Sequence, residues 1–375
     1  MANILILGGG FAGLVAAERL AHSTGPEHQI TLVAPNRNFT FYPALVELAF
    51  GETEADSITF DLREKLDLLD VRFIQGELLR VNRSAQTAEI TGDDMKGDLN
   101  YDIVVFAMGR RLATEKVSGF FEYSHHLLGV KAAKKFGDAV NDFKAGDIVL
   151  GVCPGGRLPV PVCETAFALA RRFEAEIEAG TVTIKVIFPE SLAAAFGGAA
   201  IHNQLEAAFA KHKINVLYDV PIIEITADEV ISSEKHHIKH DLLMLVPPFR
   251  GQAIVRDLGI TNEEDFVKVN DRMEVHGMDM AYAAGDLVAF SGPKFAHMAV
   301  RQAEVAAANI LSELKGETPS QAYYHEIATV IDAGGPESIY LHYGVWDDNV
   351  YRIRQGSFWG WAKEVHDRVW RARHR

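Results

Sequence analysis

Six residues near the start, Gly8-Gly9-Gly10-Phe11-Ala12-Gly13, constrain the fold more than any other stretch of this chain. They carry the spacing G-x-G-x-x-G, which alone is a weak signal. Here the context strengthens it. Asn3–Leu7 reads as a buried strand, Leu14–Ala21 as the helix behind the glycines, and Gln29–Val33 as the next strand. Within such a βαβ unit Gly8, Gly10 and Gly13 make a tight turn, with Phe11 and Ala12 inside it. The helix N-terminus then directs free N–H groups at a dinucleotide pyrophosphate. One feature departs from the fingerprint. The acidic residue that usually ends the second strand and holds the ribose is replaced by Ala34-Pro35-Asn36, leaving Asn36 as a weaker donor or acceptor there.

A second strand–loop–helix begins at Ile148-Val149-Leu150 and runs through Gly151-Val152-Cys153-Pro154-Gly155-Gly156-Arg157-Leu158-Pro159-Val160-Pro161-Val162-Cys163-Glu164. An amphipathic helix is expected from Thr165 to about Ile177. This is the place for a second G-x-G-x-x-G, but the spacing is lost and prolines stiffen the loop. The only two cysteines of the chain, Cys153 and Cys163, flank it. The loop reads as a thiol site rather than a nicotinamide site. Cys163 at a helix start is expected to have a lowered pKa, because the helix dipole favours thiolate. The loop could fold back to pair it with Cys153. The competing reading is two buried cysteines packed as small hydrophobes. Glu164 could serve as an acid or base beside Cys163, or simply as a first-turn acid on the helix.

Two further stretches complete the organisation. Tyr101–Gly109 is a buried strand ending in the small turn Ala107-Met108-Gly109, and residues 111–145 read as a helical connection. Met280–Asp286 is a late strand ending in Gly285-Asp286, followed by Lys294 and a long helix from about Ala296 to Glu313. A Gly-Asp strand end before a helix start can set its carboxylate on a flavin's ribityl chain. Lys294 could then stabilise a reduced, anionic flavin ring.

With 375 residues the chain can hold two or three cores. Its net charge of −14 argues against non-specific nucleic-acid binding. Two cysteines suit a reducing compartment rather than a disulfide framework. No apolar run approaches the roughly 18–20 residues of a membrane span, so a cytoplasmic location, soluble or peripheral on the inner face of the membrane, is expected. His125, His126, His236 and His237 form no metal-ligand spacing with a cysteine, so no metal is expected. The charge is concentrated unevenly: from Tyr351 to Arg375 seven Lys/Arg face only Glu364 and Asp367, and three of the four tryptophans lie there. Phe358, Trp361, Ala362, Val365 and Val369 share one helical face, the pattern of an interfacial membrane helix. The same pattern also suits packing on the protein's own core or in a dimer interface.

Taken together these motifs resemble the flavoprotein disulfide reductases with two dinucleotide folds. Phe39-Thr40-Phe41-Tyr42-Pro43-Ala44-Leu45, Val246-Pro247-Pro248-Phe249-Arg250-Gly251 and Cys163-Glu164 are similar to the sulfide:quinone oxidoreductase and flavocytochrome c sulfide dehydrogenase branch. The resemblance implies an α/β fold of two Rossmann-like, glutathione reductase-like domains with a C-terminal helical membrane-docking segment. It implies a discontinuous FAD-binding domain over 1–110 and 265–325, a second domain degenerate for NAD over 111–264, and a quinone- and membrane-associated segment over 326–375. It implies FAD held by Gly8, Gly10, Phe11, Ala12, Gly13, Asn36, Ala107, Gly109, Gly285, Asp286 and Lys294. It implies sulfide or another small sulfur donor and a membrane quinone as partners and a redox role for Cys163, with Cys153 the candidate partner, and it is compatible with a homodimer. The branch's late cysteine is missing, since Thr329 occupies the corresponding place. Type II NADH:quinone oxidoreductase is the alternative on the same fold, with Glu190 in its favour. A flavoprotein with another donor, or without turnover, is the third.

Overall fold

A computed structural model describes residues 1–347 and 350–375. The first sheet has five parallel strands, in the order Ala281–Ala283, Ile103–Phe106, Asn3–Leu7, Gln29–Ala34, Arg72–Gln75. Ile103–Phe106 is wholly buried, and the near-continuous apolar runs follow from parallel strands covered on both faces. The chain leaves this sheet for some 170 residues and returns with its last strand. The first helix starts at Phe11, three residues earlier than expected, so the end of the glycine motif is already helical. Leu14, Val15, Ala16, Ala17 and Leu20 are buried there because the helix lies between the sheet and the long helix Ala296–Leu314.

A second parallel sheet has the order Ile214–Leu217, Val182–Ile187, Gly146–Val152, Leu242–Val246. The segment between the two sheets is not one helical run. It forms a two-residue strand at Arg111–Leu112, a short helix Phe120–Tyr123 and an amphipathic helix Val130–Asp142. Gly119 and Gly129 supply the backbone breaks, with φ of 75° and 143°. The chain ends in an antiparallel meander, Glu326–Ile331, Ile339–Gly344 and Tyr351–Gln355, and then the C-terminal helix Ser357–His374. Among the described residues no helix is long and apolar enough to cross a membrane.

Candidate active site

The first glycine loop is shaped by close approach. A Cβ at Gly8 would lie 2.2 Å from the Ala107 carbonyl oxygen, and one at Gly13 would lie 1.8 Å from that of Gly8. Both positions therefore exclude any side chain. Gly10 caps the first helix, and none of the described residues lies within 4 Å of a Cβ built on it, apart from its chain neighbours and the helix's own backbone. The helix N-terminus thus faces open space, where a pyrophosphate can meet free N–H groups. Ala12 is buried and would be 3.1 Å from a Cβ at Gly285, so the two loops of the sheet's carboxyl end touch. Gly285 donates its N–H to the buried Gln302 side chain at 2.8 Å, a partner with no recognisable sequence signal. Gly109, two residues after the buried Ala107, has φ of 66°, and a Cβ there would meet none of the described residues within 4 Å. Asn36 is exposed in the bend after the second strand.

Asp286 forms an ion pair with Arg110, which sequence reasoning missed, and the Arg110 guanidinium lies 4.2 Å from the centroid of the Phe249 ring. Lys294 is buried, donating to the carbonyls of Val288 at 2.5 Å and Phe290 at 3.3 Å. Burial pushes its pKa down to about 7, against the opposing pull of Asp286. It is an interior group between two carbonyls, rather than a solvated lysine. The open loop, the paired Asp286 and the interior Lys294 fit a flavin dinucleotide laid along the carboxyl end of the sheet.

The second loop is closed. Gly156 donates to the Cys153 carbonyl at 2.8 Å, and a Cβ there would lie 2.7 Å from Val152 and 3.1 Å from the Pro247 oxygen. Arg157 ties the loop down. Its carbonyl accepts from the Lys294 N–H at 2.8 Å, and its guanidinium donates to Phe290 O at 3.1 Å and pairs with Glu264 at 3.2 Å. The following helix runs Val160–Arg172, starting earlier than expected and ending at Phe173. Glu174–Glu178 is a separate short helix. Pro159 caps the Val160–Arg172 helix, and Pro161 removes one of the N–H groups a pyrophosphate would use.

Both cysteines are free and fully buried. They lie in different apolar clusters, Cys163 in the main core and Cys153 with Val149, Ile187, Leu243 and Leu245. No disulfide joins them. Nor is the Cys163 thiol acidified: burial pushes it up, and the neighbouring Glu164 adds to the effect. The helix end counts for less than expected because Cys163 lies fourth in the helix, with its own N–H already bonded to the Pro159 carbonyl. Cys153 is pushed up by burial alone.

Glu164 belongs to a cluster that sequence reasoning also missed. Its Oε1 accepts from the Asp332 N–H at 3.0 Å and lies 3.8 Å from Lys363 on the C-terminal helix. Lys363 is also 3.7 Å from Glu47 and 3.6 Å from Asp367. Burial raises Glu164 to about 7 despite Lys363, and burial raises Glu47 as well. Burial alone would depress Lys363, but Glu164, Asp367 and Glu47 outweigh it and raise its pKa. One ammonium among three carboxylates, with Asp332 adjacent, leaves room for a shared proton near neutral pH.

The C-terminal helix turns Lys363, Asp367 and Trp370 inward and leaves Phe358, Trp361 and Val369 outward. Gly360 and Asp367 are buried, Lys363 is nearly so, and His374 meets Glu18 at 2.5 Å. Trp370 packs on Phe11, Phe39 and Phe41, with centroids 4.9, 5.6 and 5.1 Å away. Trp359 stacks on Tyr340 at 4.4 Å. Phe358, Trp361 and Val369 are about 60% exposed, so only one of the three tail tryptophans is on the outer surface.

Residues 2–303 match the sequence pattern of the pyridine nucleotide-disulphide oxidoreductases. The chain belongs to this family. It is an FAD-dependent oxidoreductase with the two-domain flavoprotein fold, and its likenesses point to the sulfide:quinone reductase branch. It is 26% identical to the sulfide-quinone reductase of Aquifex aeolicus over 266 residues, 68% of this chain and 61% of that protein. It is 22% identical to a type II NADH:quinone oxidoreductase of Staphylococcus saprophyticus over 97% of this chain and 94% of that one. The crystal structure of the Aquifex aeolicus sulfide:quinone oxidoreductase shares its fold, with a TM-score of 0.91, 21% identity, and coverage of 98% of this chain and 90% of that one.

Proposed function

We propose that this flavoenzyme takes two electrons from a small sulfur donor, with sulfide the leading candidate, and delivers them to a membrane quinone. The closed second loop carries the reading. A hydride donor needs its pyrophosphate held at a helix N-terminus, whereas here Gly156 is packed on Pro247 and Arg157 bolts the loop to Phe290. Bound FAD supplies the two-electron acceptor between donor and quinone. Overall, hydrosulfide loses two electrons and a proton to become zero-valent sulfur, and the quinone gains two electrons and two protons, so one proton is drawn from solution. Glu164, raised to about 7 between the cysteine helix and the C-terminal helix, is the residue we assign to hold it. Cys163, and then Cys153, are assigned to receive sulfur. As both are buried and raised, each must lose its proton as the donor arrives.

The outward face of Phe358, Trp361 and Val369 is assigned to the lipid surface, with Arg368 and Arg373 toward anionic headgroups. We assign 1–110 with 265–325 to an FAD-binding domain, 111–264 to a second Rossmann-like domain, and 326–375 to a quinone- and membrane-associated segment. Gly8, Gly10, Phe11, Ala12, Gly13, Ala107, Gly109, Gly285, Asp286 and Lys294 are assigned to FAD, with Asn36 as a weak ribose contact.

The second reading, NADH as donor, is favoured by the full-length likeness to the staphylococcal enzyme and by the exposed Glu190 beyond the Val182–Ile187 strand. Turnover with a soluble quinone analogue separates the two. The expected result is rapid quinone reduction with sulfide and little with NADH. Faster turnover with NADH would overturn the sulfur reading.

A further inference from the structure

Arg110 stands one residue beyond the Ala107-Met108-Gly109 turn, at the carboxyl end of the Ile103–Phe106 strand. Asp286 stands at the carboxyl end of the neighbouring parallel strand, Ala281–Ala283. Ligands of open α/β sheets bind outside this edge. The Arg110 guanidinium is fixed twice, by its ion pair to Asp286 and by the Phe249 ring 4.2 Å away. Gln252 holds the preceding turn, donating to the Met108 carbonyl at 3.3 Å. Yet the Arg110 Nε is buried and has no hydrogen-bond partner among the described residues. A buried N–H left unpaired costs about 1–3 kcal/mol, and a charged group more, so this donor implies an acceptor at that edge. The charges around it are unbalanced too: Arg110, Arg157 and Lys294 gather near Asp286 and Glu264.

We propose that Arg110 is a flavin-binding residue, whose unpaired Nε–H donates to an oxygen of bound FAD and whose charge, with that of Lys294, raises the flavin's reduction potential. This rests on the flavoprotein reading above and is independent of which donor the enzyme uses. A second positive charge at the flavin site favours the reduced ring, which carries two more electrons.

Sulfite reports the same field without turnover. Its sulfur bonds to flavin N5 and the displaced electron pair settles on the ring, so a positive environment tightens the adduct. FAD content, sulfite dissociation constant and two-electron midpoint are measured for wild type, Arg110→Met, Arg110→Gln and Arg110→Lys. Arg110→Met is expected to bind sulfite about tenfold more weakly, with a midpoint about 30 mV lower, that factor converted for a two-electron couple. Arg110→Gln, which keeps a donor for Asp286 but no charge, should show the same loss and decides the matter if the Met variant does not fold. Arg110→Lys should recover most of the sulfite affinity. Sulfite affinity and midpoint within twofold of wild type in both neutral variants would overturn the proposal and leave Arg110 a buttress for Asp286. A wild-type protein that binds no FAD would overturn the flavoprotein reading as well, whereas failure with sulfide or quinone would not touch either result.

Discussion

The two strand–loop–helix units carry the same scaffold to opposite ends. In the first, Gly10 faces open space at a free helix N-terminus. In the second, Gly156 is packed between Val152 and Pro247, Pro161 removes an N–H, and Arg157 fastens the loop to the flavin side. The difference teaches that a dinucleotide fold is not by itself a nucleotide site. What decides is how closely the loop can be approached: space is open over the first helix start, whereas the second loop is packed at Gly156 and stiffened by prolines.

The sharpest way to break that contrast is a side chain in the open loop. Gly10→Val should lower FAD affinity by roughly a hundredfold, equivalent to about 2.7 kcal/mol, with an unchanged far-UV spectrum. Retained flavin would show that this loop does not hold the cofactor. The second test addresses what the closed loop does instead. Cys163→Ala is expected to cut sulfide-dependent quinone reduction by a factor on the order of 10² or more while FAD content stays constant. Unchanged turnover would remove Cys163 from the chemistry.

On the C-terminal helix, Phe358→Ser and Trp361→Ser should each weaken binding to anionic vesicles roughly tenfold to a hundredfold, from about 1.5–3 kcal/mol of lost apolar burial per side chain. Co-sedimentation checks this, and unaltered binding would assign the outward face elsewhere.

The pH dependence of Glu164 has a definite sign. Its folded pKa lies above its ordinary value, so the folded state binds the extra proton, and stability is lost as pH rises from about 4.5 to about 7. Glu164→Gln should flatten that window by on the order of 3 kcal/mol in denaturant unfolding followed across pH. An identical slope in the variant would mean that Glu164 is ionised throughout. The smallest effect belongs to the closed loop itself. Gly155, at φ of 77°, should cost only about 1–2 kcal/mol as Gly155→Ala, with flavin binding unchanged.

Much of the frame was legible because it is local. The glycine spacing, the apolar strands and the Gly285-Asp286 turn each lie within a few residues, and the long helix begins at Ala296 as its sequence implies. The errors arose where long-range packing overrides local chemistry. A helix start suggested an acidified Cys163, but complete burial wins over the dipole. The Glu47, Glu164, Asp332, Lys363 and Asp367 cluster draws on four separated segments, so no single stretch announces it. Its one trace is the C-terminal helix, which carries charged residues on the face opposite its exposed aromatic ones. Arg110 was hidden for the same reason, because its partner Asp286 lies 176 residues away.

The most direct test of the account is anaerobic reduction of the flavin in the purified protein, with sulfide and NADH added separately. The closed second loop predicts rapid loss of the oxidised flavin band with sulfide and none with NADH on the same timescale. Bleaching by NADH alone would show that the second unit binds a nicotinamide after all, and would contradict the central reading.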